Sequence, residues 1–136
     1  EDGHVIPSLI GKAFFASQNN FSLNVWGDGS PLREFLYVED VADIIEIILE
    51  KYKSTKPLIL SHGQEVPISD AVKEIAKCTG LTEVNYQVDK PNGQHRKPSD
   101  PSELLKLIGD YKFTSLSDGI KKSVNFYIEN YPNVRK

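Results

Sequence analysis

At 136 residues the chain is the size of one domain and long enough to bury a core of its own. Its 39% hydrophobic and 26% charged residues are those of an ordinary folded protein and exclude a disordered tail. A net charge of −3 offers no general pull toward nucleic acid or an anionic membrane, and no apolar run nears the roughly 20 residues of a membrane span. A single cysteine, Cys78, excludes an internal disulfide and fits a reducing compartment. The opening EDGHVIP has neither the basic start nor the apolar core of a signal peptide. No methionine occurs, so a processed or excised piece of a longer chain is expected. NFS (20–22) matches a glycosylation acceptor, but so short a match arises by chance.

In chain order, Val5 to Phe15 carries apolar residues at helical spacing, with Pro7 tolerated near the first turn and QNNFS ending the run. Leu23 to Trp26 reads as a short strand before the turn GDGSP, and Glu34 to Val38 as a second strand. A helix then runs to Lys51, capped by Glu39 or Asp40, with Val41, Ile44, Ile45, Ile48 and Leu49 on its inner face. Pro57 to Leu60 is an all-apolar run of the kind buried in a sheet, and SHGQEVP reads as a loop. Ser69 opens a further helix, with Val72, Ile75 and Ala76 inside and Gly80 as its stop. Val84 to Val88 alternates as a strand, and Asp89 to Pro101 is a polar loop with three prolines. Helices over Ser102–Leu107 and Leu116–Tyr131 close the chain, the latter with Ile120, Val124, Tyr127 and Ile128 on one face. Alternating strands and helices argue a single mixed α/β domain over 1–136.

The chemistry-bearing residues are few. GDGSP lets the backbone adopt conformations closed to other residues, and so fixes where Arg33 points. Arginine suits a planar, two-pronged grip on phosphate or carboxylate, and Trp26 offers a flat surface for a base or sugar. The other reading of these residues is a plain turn with a surface ion pair. His4 precedes the first helix; facing a pocket, it can exchange a proton near neutral pH, and otherwise it caps the helix or lies in solvent. Lys12, two turns on, projects to the same side. Asn92 to Pro98 gathers His95, Arg96 and Lys97, which form either a phosphate clamp or a solvated turn. His62 has no visible partner. Three histidines and one cysteine without ligand spacing argue against a metal site. No GxGxxG follows a strand, and neither a phosphate-binding P-loop nor a nucleophile elbow occurs.

In order, EDGHVIPSLIGK, VWGDGSPLREFLYVEDVA, LILSHGQE, DKPNGQHRKPSD and FTSLSDGIKKSVNFYIENY resemble the C-terminal, substrate-binding part of the GDP-L-fucose synthases over essentially the whole chain. These are extended short-chain dehydrogenase/reductases that epimerise GDP-4-keto-6-deoxymannose at C3 and C5 and reduce C4. The GHVIP and VWGxGxPxRE pair is the specific part; R-E-F-[LI]-[YH]-V is shared with many nucleotide-sugar enzymes. The resemblance implies a small mixed α/β substrate-binding domain without the N-terminal Rossmann domain that carries NADP and the hydride-transfer Ser, Tyr and Lys. It also implies a cytoplasmic, homodimeric parent that engages neither nucleic acid nor membrane. It makes His4 the proton donor, set beside the cofactor, and Lys12, Trp26, Arg33 and Lys97 the GDP-sugar contacts. His4, Trp26 and Arg33 are then expected to converge on one cleft. Asn92 stands where some members have aspartate, and keeps hydrogen bonding without the charge. The fragment alone is expected to be inactive. The alternatives are another nucleotide-sugar epimerase or dehydratase of the superfamily, or a non-catalytic module that binds anions through the basic loop.

Overall fold

Leu23 and Val25 are buried while Asn24 and Trp26 face outward, so the short alternating run does form a strand, β1 (Leu23–Trp26). The computed structural model describes residues 4–134, so the first three residues of EDGHVIP lie outside the described residues. Around β1 the chain builds α1 (Val5–Asn19), β2 (Leu32–Glu34), α2 (Val38–Lys51), β3 (Glu65–Pro67), α3 (Ile68–Thr79), β4 (Val84–Gln87), α4 (Ser102–Ile108) and α5 (Leu116–Asn130). The mixed α/β class read from the sequence holds.

β1 pairs in parallel with β4, Leu23 opposite Val84 and Trp26 opposite Gln87. β2 and β3 form a separate antiparallel pair with Leu32 opposite Pro67, Arg33 opposite Val66 and Glu34 opposite Glu65. The main core joins β1 to α1, α3 and α5 through Ile10, Leu23, Val72, Ile75, Ile120 and Val124. Burying each such aliphatic side chain contributes about 1.5–3 kcal/mol. A second, smaller core joins α2 to α4 through Ile44, Leu104 and Ile108.

Helix ends follow local chemistry. Asn20 ends α1 in the left-handed region, and Gly80 does the same for α3, where Leu81 N–H returns to Ala76 O at 2.9 Å. Ser115 Oγ caps α5 by accepting from Asp118 N–H at 3.1 Å.

Several expectations need correction. The second strand is Leu32–Glu34, not Glu34–Val38, because its partner β3 ends after three residues and Val38 already begins α2. Neither Glu39 nor Asp40 caps α2: Tyr37 is the N-cap and no side chain caps it. Asp40 is instead buried against the segment after α4, accepting from Thr114 N–H (2.9 Å), Thr114 Oγ1 (2.8 Å) and Tyr111 OH (3.2 Å). SHGQEVP is not all loop, since Glu65–Pro67 is β3. Pro57–Leu60 pairs with no strand among the described residues, and Ile59 and Leu60 stay 48% and 37% exposed. On α2 the inward residues are Ile44, Ile47 and Ile48, whereas Val38, Ala42, Ile45 and Leu49 make an exposed apolar stripe. Ile128 of α5 is likewise outside.

Candidate functional site

The turn after β1 is built so that glycine is required twice. Gly27 and Gly29 both have φ of +76°, which a side chain rarely adopts. A Cβ on Gly27 would sit 1.9 Å from Asn92 Oδ1, and one on Gly29 2.7 Å from Tyr86 Cε1. Between them, Asp28 N–H donates to Asn92 Oδ1 at 2.8 Å, and the Asp28 carboxylate accepts from Ser30 N–H at 2.9 Å. The Ser30 bonds hold the Asp28 carboxyl below its ordinary range. The turn is also fastened to α3: Gly29 O accepts from Ser69 N–H (2.9 Å) and Pro31 O from Ile68 N–H (3.0 Å). Those are first-turn N–H groups that no carbonyl inside α3 can satisfy.

Arg33, half-buried on β2, donates through Nη1 to Leu32 O (2.6 Å) and through Nη2 to Gln94 O (2.8 Å). A guanidinium has five N–H groups, so this anchoring leaves others for a ligand. Leu32 N–H donates to His95 O at 2.8 Å, which ties the same loop to β2. Arg96 is occupied: its Nε donates to Glu65 Oε2 at 2.9 Å and its Nη2 closes the ion pair. Glu34 accepts from Ser99 N–H (3.0 Å), Ser99 Oγ (2.5 Å) and Ser61 Oγ (2.5 Å). Burial pulls the Glu34 carboxyl up, but the bonds from Ser61 and Ser99 hold it below the ordinary glutamate range. Lys97 is exposed, with no ion partner among the described residues.

Trp26 is 59% exposed and lines an open hollow of about 620 Å³ with Lys12, Phe15, Phe21 and Asn24. Lys12 and Trp26 therefore line one hollow. A second cavity, of about 680 Å³, is lined by Ile6, Phe35, His62, Phe113, Leu116 and Ile120 among others. His62, partnerless in the sequence, is held on both ring nitrogens. Gln64 N–H donates to Nδ1 at 2.9 Å, so Nε2 carries the hydrogen and donates to Phe35 O at 2.8 Å. These bonds fix the ring's orientation, edge-on to Phe113 with centroids 5.3 Å apart.

The structure thus sets Lys12 and Trp26 around one hollow, and ties the 92–94 loop to the turn through Asn92 and to β2 through Arg33. Exposed His4, the N-cap of α1, lines neither hollow, nor does Arg33, so these two cavities do not gather imidazole, indole and guanidinium together. Reading residue types missed Glu34, Glu65, Ser61 and Ser99. The β2–β3 register reveals the two glutamates, and the hydrogen bonds to Glu34 reveal the two serines.

The chain's first 61 residues match the model of the NAD dependent epimerase/dehydratase family. A GDP-L-fucose synthase of Dictyostelium discoideum is 37% identical over 99% of the chain. The chain is homologous to the GDP-L-fucose synthases. It spans 43% of the length of that relative. The crystal structure of a GDP-L-fucose synthetase from Naegleria fowleri superposes with a TM-score of 0.96 at 32% identity, over 99% of this chain and 42% of that one. The same protein bound to NADP gives 0.95 over 100% and 43%. In the present chain no glycine-rich turn leads from a strand into a helix among the described residues. Gly27 and Gly29 lead into β2, and α1, α2 and α3 follow His4, Tyr37 and Pro67. These residues alone make no cradle for a dinucleotide pyrophosphate. Among the described residues no helix is long and apolar enough to cross a membrane.

Proposed function

We propose that residues 1–136 are the C-terminal, GDP-sugar-binding domain of a GDP-L-fucose synthase. The whole enzyme would convert GDP-4-keto-6-deoxymannose to GDP-L-fucose by 3,5-epimerisation and NADPH-dependent reduction. The observation that carries this reading is the turn at Gly27–Pro31. It presents an exposed indole at one end and a half-buried, anchored guanidinium at the other, in a chain homologous to enzymes of that name.

In this reading Trp26 and Lys12 receive the nucleoside end, while Arg33 and Lys97 supply fixed charge to the diphosphate. Asn92 acts by shaping the turn. Its side-chain oxygen already accepts from Asp28, and its amide N–H groups remain for a ligand hydroxyl. His4 is the proton donor of the epimerisations, its partner base lying outside this chain. Protons beside the C4 ketone are acidified, so a base on one face and an acid on the other invert each centre. NADP belongs to the N-terminal Rossmann domain of the parent. The exposed apolar stripe Val38–Ala42–Ile45–Leu49 along α2 supports a partner domain of that kind, because such a stripe seldom stays uncovered. The parent is proposed to be a cytoplasmic homodimer.

Calorimetric titration of the chain with GDP, UDP and dTDP tests the reading. Preferential GDP binding that Arg33→Ala abolishes supports it; a clear UDP or dTDP preference assigns another nucleotide-sugar enzyme instead. An anion-binding module working through the basic loop is disfavoured, since Arg96 is already paired with Glu65.

A further inference from the structure

Two carboxylates outside the set of proposed contacts converge on the loop that carries one of them. Glu34 and Glu65 are register partners on β2 and β3. Like charges placed directly opposite on an antiparallel pair repel, so this arrangement needs a compensating reason. Each glutamate has one. Glu65 holds Arg96 in a two-pronged pair, and Glu34 takes the backbone N–H and hydroxyl of Ser99. Arg96 and Ser99 bracket Lys97 and Pro98. Proline fixes its own φ and restricts the residue before it to extended backbone, so Lys97 is pinned on both sides and stiffened between them.

We infer that Glu34 and Glu65 form a two-point mount that aims Lys97 at an anionic ligand, which makes them positioning residues for phosphate recognition. The inference rests on the GDP-sugar reading above. The mount does not quench the charge it carries. Glu65 is neutralised by Arg96, Glu34 is satisfied by uncharged donors, and Lys97 pairs with neither.

The test is a thermodynamic cycle read by the emission of Trp26, the sole tryptophan, during GDP titration. Glu65→Gln is expected to weaken GDP binding about five- to tenfold in the wild-type background and to have no further effect once Lys97→Ala is present. The charge swap of Glu65→Arg with Arg96→Glu should restore most of the affinity. Arg96→Gln breaks the same pair from its 55%-exposed side and decides the matter if Glu65→Gln does not fold. Equal loss with and without Lys97, or no loss at all, overturns the mount while leaving the GDP reading intact. Failure of the wild-type chain to bind GDP removes both.

Discussion

Glu34 and Glu65 stand opposite each other across β2 and β3, yet their carboxylates are engaged by opposite ends of one four-residue loop segment, Ser99 and Arg96. Acid should expose that arrangement. The Glu34 carboxyl titrates below its unfolded value, so the stability it contributes is present above the unfolded pKa and lost as pH falls through the folded one. Glu34→Gln is expected to lower stability at pH 7 by about 1–2 kcal/mol and to flatten the acid limb below about pH 4.5. Urea melts at pH 7 and pH 3.5 read both effects; an unchanged acid limb rules out Glu34 as its source.

Asn92 works through an oxygen, not a charge. Asn92→Asp retains an acceptor for Asp28 N–H, and the fold is expected to survive. Asn92→Leu removes it and should lower stability by about 1 kcal/mol and shift Trp26 emission. Gly27→Ala meets both a positive φ and the Asn92 oxygen, so it is expected to be worse than either change. Thermal melts followed by fluorescence give the ranking.

Asp40 seals the junction between α2 and the chain after α4. Asp40→Ala strands the Thr114 N–H and hydroxyl and is expected to destabilise by about 2–3 kcal/mol. Tyr111→Phe loses one hydroxyl that Asp40 and Asp43 share, about 1 kcal/mol. Equilibrium denaturation separates the two.

A buried and an exposed apolar position should respond very differently. Ile75 is fully buried in the main core, and Ile75→Ala is expected to cost about 2–5 kcal/mol. Leu49 is 75% exposed on α2, so Leu49→Ala should stay within about 0.5 kcal/mol in the isolated chain. A large loss at Leu49 would show that the stripe is already covered.

These contrasts mark where reading residues succeeds. The alternation of LNVW, the Gly80 stop and the apolar spacing of Val72, Ile75 and Ala76 are local signals, and local chemistry realises them. The GDGSP turn was legible as special for the same reason. What escaped depends on residues far apart in the chain. Glu34 and Glu65 acquire meaning only through their register, His62 only through Phe35, and Asp40 only through Thr114. Pro57–Leu60 carries the signal of a buried strand, but a strand exists only where a partner pairs with it. His4, Trp26 and Arg33 were legible as chemical types; their mutual placement was not.

The parallel pairing of β1 with β4 has a kinetic consequence. Asn24 and Asn85 touch at 3.1 Å across a separation of 61 residues, so the chain must close a long loop before that ladder forms. The Gly27–Pro31 bend is gripped by Ser69, Asn92 and, through Leu32, His95, all of which come later in the chain. Folding therefore assembles the Gly27–Pro31 corner late, and partly folded chains lack it. A ligand that grips this corner selects the finished molecule and raises its melting temperature in proportion to the logarithm of its concentration.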